Sequence, residues 1–393
     1  MSQSISYWFD AVLLTVVLAA QVCLYQAAQP ALRRWLRPRG LRAAQAALAA
    51  LLAGALLVVA LNSEQRFWRA SRWLNRSLTF AAAIWVAGSV GAAVILAAAW
   101  LATRRSAPGS AGKRAGAGRR SFLAGAARLA ALAPFGVAGY ATLLVRREFE
   151  VRETDFPVPN LPADLEGLRL AQLSDIHFSP YLTLPELERV VAMANETRPQ
   201  VALVTGDLIT RRGDSLEACL ARLARLRAEA GVFGCLGNHE IYAGCEDLTE
   251  RRGRELGIEF LRGERRALRF GGARLNVAGV DYQRQRRPYL AGAERLLDPG
   301  AINLLLSHNP DVFPVAADLG YDLIVGGHTH GGQVTVEILE QTLNVARFFT
   351  PYVAGLYRRG ASSIYVSRGI GTLNLPMRLG AKPEVSLLRL RRV

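Results

Sequence analysis

Long apolar runs without interior charge fill the first third of the chain. Short apolar runs separated by helical periodicity fill the rest. Ala11–Leu32, Ala43–Leu61 and Ser77–Thr103 are each close to the length a helix needs to cross about 30 Å of hydrocarbon. A fourth run, Leu129–Val145, is shorter and is interrupted by Pro134 and Gly136, with Arg128 placed to snorkel at its start. Tyr7, Trp8, Trp35, Trp68, Trp73 and Trp100 lie near the run ends, where aromatic rings favour the membrane interface. The pattern predicts a transmembrane region over 1–145 with spans at about 11–32, 43–61, 77–103 and 129–145.

After residue 145 the pattern changes. LRLAQL (Leu168–Leu173), VALVT (Val201–Thr205), VFGCL (Val232–Leu236), INLLL (Ile302–Leu306) and YDLIV (Tyr321–Val325) read as strands buried on both faces. Helices are expected at Leu184–Thr197, opened by Thr183-Leu184-Pro185-Glu186, at Ser215–Ala230 and at Asp247–Glu255. Residues 258–280 read as strands joined by a Gly271-Gly272 hairpin turn. The alternation predicts one α/β domain over 146–393.

The net charge of +16 raises the question of nucleic acid, and its distribution answers it. Residues 1–145 carry 16 Lys/Arg against Asp10 and Glu64, while 146–393 carry 32 Lys/Arg against 30 Asp/Glu. Cationic loops between apolar segments speak of membrane topology, and no nucleic-acid partner is expected. Loop 33–42 has five arginines and loop 104–120 six basic residues, against four arginines in loop 62–76. The positive-inside rule puts the first two in the cytoplasm, so four spans place the domain after Val145 outside; without the fourth span it stays inside. Within 104–120, a flexible Gly/Ala/Ser linker, Arg119-Arg120-Ser121-Phe122-Leu123 has the form of a twin-arginine export signal, or anchors a helix end. The four cysteines are too few and too irregular for a disulfide framework or a cysteine-rich zinc site. Cys235 and Cys245 are free buried thiols or, in an oxidising compartment, a pair.

Candidate chemistry sits directly after each buried run. Asp175 and His177 follow the first, Asp207 the second, Asn238, His239 and Glu240 the third, His308 the fourth, and Gly326-Gly327-His328-Thr329-His330-Gly331-Gly332 the fifth. In α/β sheets the functional crevice lies at that strand end. All five histidines of the chain fall in these segments. Taken alone, the glycine-wrapped pair His328 and His330 is a tight turn with two surface histidines or half of a metal site, glycine sparing room for a ligand. The other four segments favour metal. Asp, Asn and His donors suit Mn²⁺, Fe²⁺ or Zn²⁺. Asp175, His177, Asp207, Asn238, His308, His328 and His330 are too many for one ion with an open position, so two divalent ions are expected, with Asp207 as the bridging carboxylate. Two such ions, about 3.5–4 Å apart, grip a phosphoryl group and lower the pKa of a bridging water; a nearby imidazole protonates the leaving oxygen.

Asp175-x-His177, Gly206-Asp207, Gly237-Asn238-His239-Glu240, His308 and Gly327-His328-x-His330 together resemble the calcineurin-like metallophosphoesterase family over roughly residues 165–335. The resemblance implies a two-sheet sandwich flanked by helices (αββα). It implies one ion held by Asp175, His177, Asp207 and His330, and a second by Asp207, Asn238, His308 and His328. His239 would then meet the substrate phosphate, catalysing together with Asp207. Glu240 stands where the family often has Asp, and either orients His239 or charges a helix N-terminus.

Residues 331–334, Tyr352–Tyr357, Val366–Gly371 and Pro383–Val385 resemble the bacterial membrane-associated, YkuE-like branch. That branch implies phosphodiester or pyrophosphate hydrolysis, some members acting as UDP-diacylglucosamine pyrophosphatases of lipid A synthesis. The lipid A step is cytoplasmic, in conflict with an outside domain. The expectation is a multi-pass protein of the bacterial inner membrane whose partners are the bilayer and a phosphate-ester substrate, lipid-linked or from the cell envelope. An inactive metal-binding signalling or scaffold module is the alternative of another class; a transporter lacks ionisable residues inside the spans. Arg211, Arg212, Arg284, Arg286 and Arg287 either grip phosphate or form solvated basic loops. Leu373, Leu375, Pro376 and Met377 either receive an acyl chain or pack internally.

Overall fold

The computed structural model describes residues 3–62, 72–105, 113–283, 289–338, 341–373 and 375–393. The chain divides into two compact units, Met1–Leu144 and Val145–Val393.

The first unit is helical: α1 (Gln3–Trp35), α2 (Pro38–Asn62), α3 (Arg72–Arg105), α4 (Lys113–Ala130) and α5 (Ala133–Leu143). Two stretches among the described residues are long and apolar enough to cross a membrane, Arg76–Thr103 and Phe122–Arg147. The second begins at Phe122 rather than Leu129, because α4 runs into α5 through a short break at Ala131-Leu132. Pro134 opens α5 and has no amide for the preceding turn, which accounts for the break. The expected spans 11–32 and 43–61 fall within α1 and α2. The flexible linker expected over 104–120 is described only at its ends, and from Lys113 onward it is helix. Small residues bring α3 and α5 together: a Cβ at Gly88 would meet Phe135 and one at Gly91 would meet Pro134. Trp85 Nε1 donates to Gln21 Oε1 at 3.1 Å, linking a half-buried indole on α3 to the buried Gln21 on α1.

The second unit is built from β1 (Glu150–Val158), β2 (Arg169–Leu173), α6 (Leu184–Glu196), β3 (Val201–Thr205), α7 (Leu216–Leu223), β4 (Val232–Cys235), α8 (Asn238–Ala243), α9 (Glu246–Glu255), β5 (Ile258–Phe260), β6 (Glu264–Phe270), β7 (Ala273–Gly279), β8 (Ile302–Leu306), α10 (Phe313–Leu319), β9 (Leu323–Gly326), β10 (Thr335–Ile338), β11 (Gln341–Asn344), β12 (Gly355–Arg359), β13 (Ser362–Val366) and β14 (Glu384–Arg392). One six-stranded sheet has the order β1-β14-β2-β3-β4-β5, the other β12-β13-β9-β8-β7-β6. Apolar residues of both sheets, among them Leu170, Leu203 and Phe233 from one and Val277, Leu304 and Val325 from the other, make the central core. Leu187, Val190 and Leu220 cover the first sheet's far face, and Phe313 and Ala316 the second's. The layers are therefore helix, sheet, sheet, helix, a mixed α/β two-sheet fold.

Local chemistry fixes the elements. Thr183 and Glu186 form a reciprocal capping box at the start of α6, with Glu186 Oε2 accepting from Thr183 N at 2.7 Å. The β6–β7 hairpin turns at Gly271-Gly272, and Asp164 Oδ2 accepts from Gly272 N at 2.7 Å. The helix expected over 215–230 stops at Leu223, as the chain turns through 224–231 to enter β4. β14, the last element of the chain, lies between β1 and β2, parallel to the first and antiparallel to the second. All four cysteines are free, and Cys219 and Cys235 are buried, their thiols pushed up by burial.

Candidate metal centre

Strands β2, β3, β4, β8 and β9 are largely apolar and buried, and the candidate donors lie just past their C-terminal ends. The backbone there is strained. Among the described residues nine non-glycines have positive φ, and five of them are Asp175, His177, Asp207, His328 and His330. Left-handed backbone is costly for such residues and persists where surrounding structure imposes it, typically at functional sites.

The side chains converge into linked groups. Asp175, His177 and His330 bring ligand atoms within 4.8 Å of one another, as do Asp207, His308 and His328, and a third triad of His177, Asp207 and His239 joins them. His177 Nε2 lies 3.1 Å from His330 Nε2, which lies 3.4 Å from Asp175 Oδ1. Asp207 Oδ2 faces both groups, 3.5 Å from His177 Nε2 and 3.0 Å from His308 Nε2. Atoms that share an ion at about 2.1 Å stand about 3.0–3.4 Å apart, so these separations suit a divalent cation. Asn238 opens α8, and its Oδ1, with His328 Nδ1 and His330 Nδ1, is buried without a hydrogen-bond partner. Buried polar atoms are almost always satisfied. Orphans gathered at one place are what a missing cation leaves, and the donor set fits divalent metal.

Hydrogen bonds aim the rings. His308 Nδ1 donates to the Thr205 carbonyl at 2.7 Å and His239 Nδ1 to the Thr210 carbonyl at 2.5 Å, leaving each Nε2 for the cleft. His239 N donates to Asp207 Oδ1 at 2.9 Å, and His328 N to Asp175 Oδ1 at 2.8 Å. Burial opposes charge on Asp207, but His308 and His239 outweigh it and hold the carboxyl well below the usual range. Burial opposes charge on His308 as well, yet the neighbouring Asp207 carboxylate pushes it up to about 10. Burial drives His177 and His330 well below the usual imidazole range, and His328 down to about 3, so all three are neutral donors.

Glu240 does not touch the His239 ring. Its Oε2 accepts from Asp207 N (2.9 Å) and Gly237 N (2.8 Å), and its Oε1 from Leu208 N (2.7 Å). The helix-terminus role expected for it is present, and the carboxylate also pins the Asp207 turn. Glu240→Gln turns a donor toward backbone donors. It is expected to cost about 2–3 kcal/mol of stability, read from the urea midpoint; an unchanged midpoint would refute the clamp.

Gly327 serves a different neighbour from the one its sequence context suggested. A Cβ there would lie 2.1 Å from Ser174 Oγ and 2.2 Å from Asp175 Oδ2, so the glycine makes room for the Asp175 carboxylate. Gly327→Ala is expected to weaken metal affinity by about 10–100-fold, measurable by titration with Mn²⁺ or Zn²⁺.

Other expectations land differently. Arg211 and Arg212 follow Thr210 on a surface loop, half-buried and exposed. Arg284, Arg286 and Arg287 lie outside the described residues. Pro376 and Met377 are buried and Leu373 and Leu375 half-buried, so these side chains pack largely internally. Sequence reading missed three neighbours. The Tyr282 ring centroid is 5.5 Å from that of His328, and the exposed Tyr242 ring is 5.6 Å from that of His239. Arg378 is fully buried and donates to the carbonyls of His330, Arg368 and Gly371, tying the His330 turn to the C-terminal segment. A single arginine after an apolar stretch carries no sequence signal for this.

The calcineurin-like phosphoesterase family signature matches residues 168–332. The chain is 30% identical to the metallophosphoesterase YkuE of Bacillus subtilis over 279 residues, 70% of this chain and 97% of that protein. It is 31% identical to the phosphodiesterase YaeI of Escherichia coli over 228 residues, covering 56% and 80%. A transmembrane protein with metallophosphoesterase domain from Danio rerio is 31% identical over 258 residues, 62% of this chain but only 57% of that protein. With the strand-end donors gathered around Asp207, these matches place the chain in the calcineurin-like metallophosphoesterase family, as a metal-dependent phosphoesterase.

Proposed function

We propose that the chain is a membrane-tethered phosphohydrolase that cleaves a phosphodiester or pyrophosphate bond of a lipid-linked or cell-envelope substrate. The observation that carries this reading is Asp207 Oδ2, one carboxylate oxygen shared between two groups of candidate ligands. Asp175, His177, Asp207 and His330 would hold one divalent ion, and Asp207, Asn238, His308 and His328 a second. Such ions supply charge neutralisation at the phosphoryl group and an activated water. His239 presents Nε2 to the cleft, where it would pass a proton to the departing oxygen, while the Thr210 carbonyl fixes its ring. Glu240 keeps Asp207 and the start of α8 in register.

Two stretches of membrane-crossing length and composition support the tether, as does the similarity to a relative named as transmembrane. Residues 1–145 act as a multi-pass anchor in the bacterial inner membrane, with the phosphoesterase unit on its outer side. The decisive experiment pairs metal analysis of the purified chain with turnover of a soluble aryl phosphodiester and of a lipid-linked diester in vesicles. Bound metal with no hydrolysis would sink the enzyme reading. Much faster turnover of the soluble diester would sink the lipid-linked substrate. A C-terminal reporter active only in the cytoplasm would reverse the sidedness and return the lipid A pyrophosphatase reading.

A further inference from the structure

Beside the candidate metal centre a short turn carries apolar side chains into solvent. It spans Val345–Phe348 and follows β11; Val345 is 56% exposed and Phe348 87%. Phenylalanine this exposed is uncommon on a folded domain, since burying such a ring is worth about 1.5–3 kcal/mol. The turn is held at both ends. Asn344 Nδ2 donates to the Gly331 carbonyl and its Oδ1 accepts from Ala346 N, at 2.8 and 2.7 Å. Thr350 Oγ1 donates to Asp311 Oδ1 at 2.5 Å. Gly331 follows His330 directly, and Asp311 lies on the segment that follows His308. Each end of the turn is therefore fastened to a loop that carries a candidate ligand. The base beyond it is braced, with Tyr352 edge-on to both Phe313 and Tyr357, and Tyr357 Oη accepting from Val353 N at 3.0 Å.

The turn's own segment is basic, its acidic neighbours being Asp311 at Thr350 and Asp318 at Arg359. Residues 345–359 hold Arg347, Arg358 and Arg359 and no acidic residue. Arg347 and Arg358 are exposed, while Arg359 pairs with Asp318 at 3.1 Å. Apolar side chains among exposed arginines match an interface where acyl chains lie beneath anionic headgroups. We propose that Val345 and Phe348, with Arg347 between them, dip into an anionic bilayer surface and hold the neighbouring metal centre at headgroup level. The inference rests on the membrane-tethered reading and adds to it a second, reversible contact, made by the phosphoesterase unit itself.

The test uses the full chain in vesicles of phosphatidylcholine, with and without phosphatidylglycerol. A polarity-sensitive dye is placed through Phe348→Cys or, as a control on the exposed C-terminus, Val393→Cys; the unsubstituted chain corrects for native thiols. The expected result is a blue-shifted dye at 348 that is quenched by lipids with brominated acyl chains, more so with phosphatidylglycerol, and no change at 393. A water-like dye at 348 in both vesicles, with the chain still membrane-bound after an alkaline wash, overturns the proposal and leaves the tether standing. If the wash removes the chain, the tether reading fails. Co-sedimentation of the washed chain with anionic vesicles then decides: about tenfold weaker binding by the V345S/F348S variant supports the proposal, and equal binding overturns it.

Discussion

Replacing Asp207 with asparagine is expected to lower kcat/KM on a small phosphodiester by about a thousandfold and to reduce the metal bound per chain. Asparagine keeps the shape, and its carbonyl oxygen still accepts from His239 N, so α8 starts in place. What disappears is the negative charge and the oxygen that faces His177 and His308. Both ligand groups lose a donor in one substitution, unlike a change at Asp175 or His328. His239→Gln is the companion measurement. It is expected to lower kcat by about 10²–10⁴-fold with metal content unchanged, because His239 serves the proton rather than the ion. An Asp207→Asn enzyme with full metal and activity within tenfold of the parent would remove Asp207 from the centre of the site.

Metal binding to the stripped chain is expected to release about one proton at about pH 8 and about two at about pH 5. The proton at the higher pH belongs to His308, pushed up to about 10 beside Asp207, since Nε2 must be bare to coordinate. The extra proton at the lower pH belongs to Asp175, which burial raises to about 6. Burial already keeps His177, His328 and His330 neutral, so they release none. Stability follows with a definite sign. His308 has a folded pKa above its ordinary 6.5, so its contribution to the metal-free chain is complete below pH 6.5 and is lost as pH rises through about 10. Below 6.5 the three neutral histidines pull the other way, because the unfolded chain binds protons that the folded one refuses. The stripped chain is therefore most stable near neutrality, and loading metal extends its stability to alkaline pH. Calorimetry in buffers of differing ionisation enthalpy counts the protons, and thermal melts across pH test the window. No release at about pH 8 would show that His308 is not a ligand.

Much of this was legible because burial on both faces leaves a plain mark. The strands β2, β3, β4, β8 and β9 are largely apolar, and a candidate donor follows each within three residues of its end. The capping box at Thr183 and Glu186 and the Gly271-Gly272 turn are local, so they too could be read directly. Non-local features could not. Nothing in Glu384–Arg392 says that its neighbours are Glu150–Val158 and Arg169–Leu173. The early end of α7, the amide clamp of Glu240 and the carbonyl bonds of Arg378 depend on partners far along the chain. The exposure of Phe348 was equally silent, since an apolar residue in sequence is presumed buried until the fold says otherwise.

The position of β14 bears on how the protein is made. β14 is the second strand from the edge of its sheet, wedged between two of the earliest strands of its unit. Until β14 has been made, β1 has no neighbour in the sheet and the gap beside β2 stays open. Glu384, at the head of β14, also accepts from Tyr365 Oη next to the Arg368 segment, so the ground beneath the candidate ligands sets late. Donors made early thus wait for β14, and the sheet beneath them closes only when that strand pairs with β1 and β2.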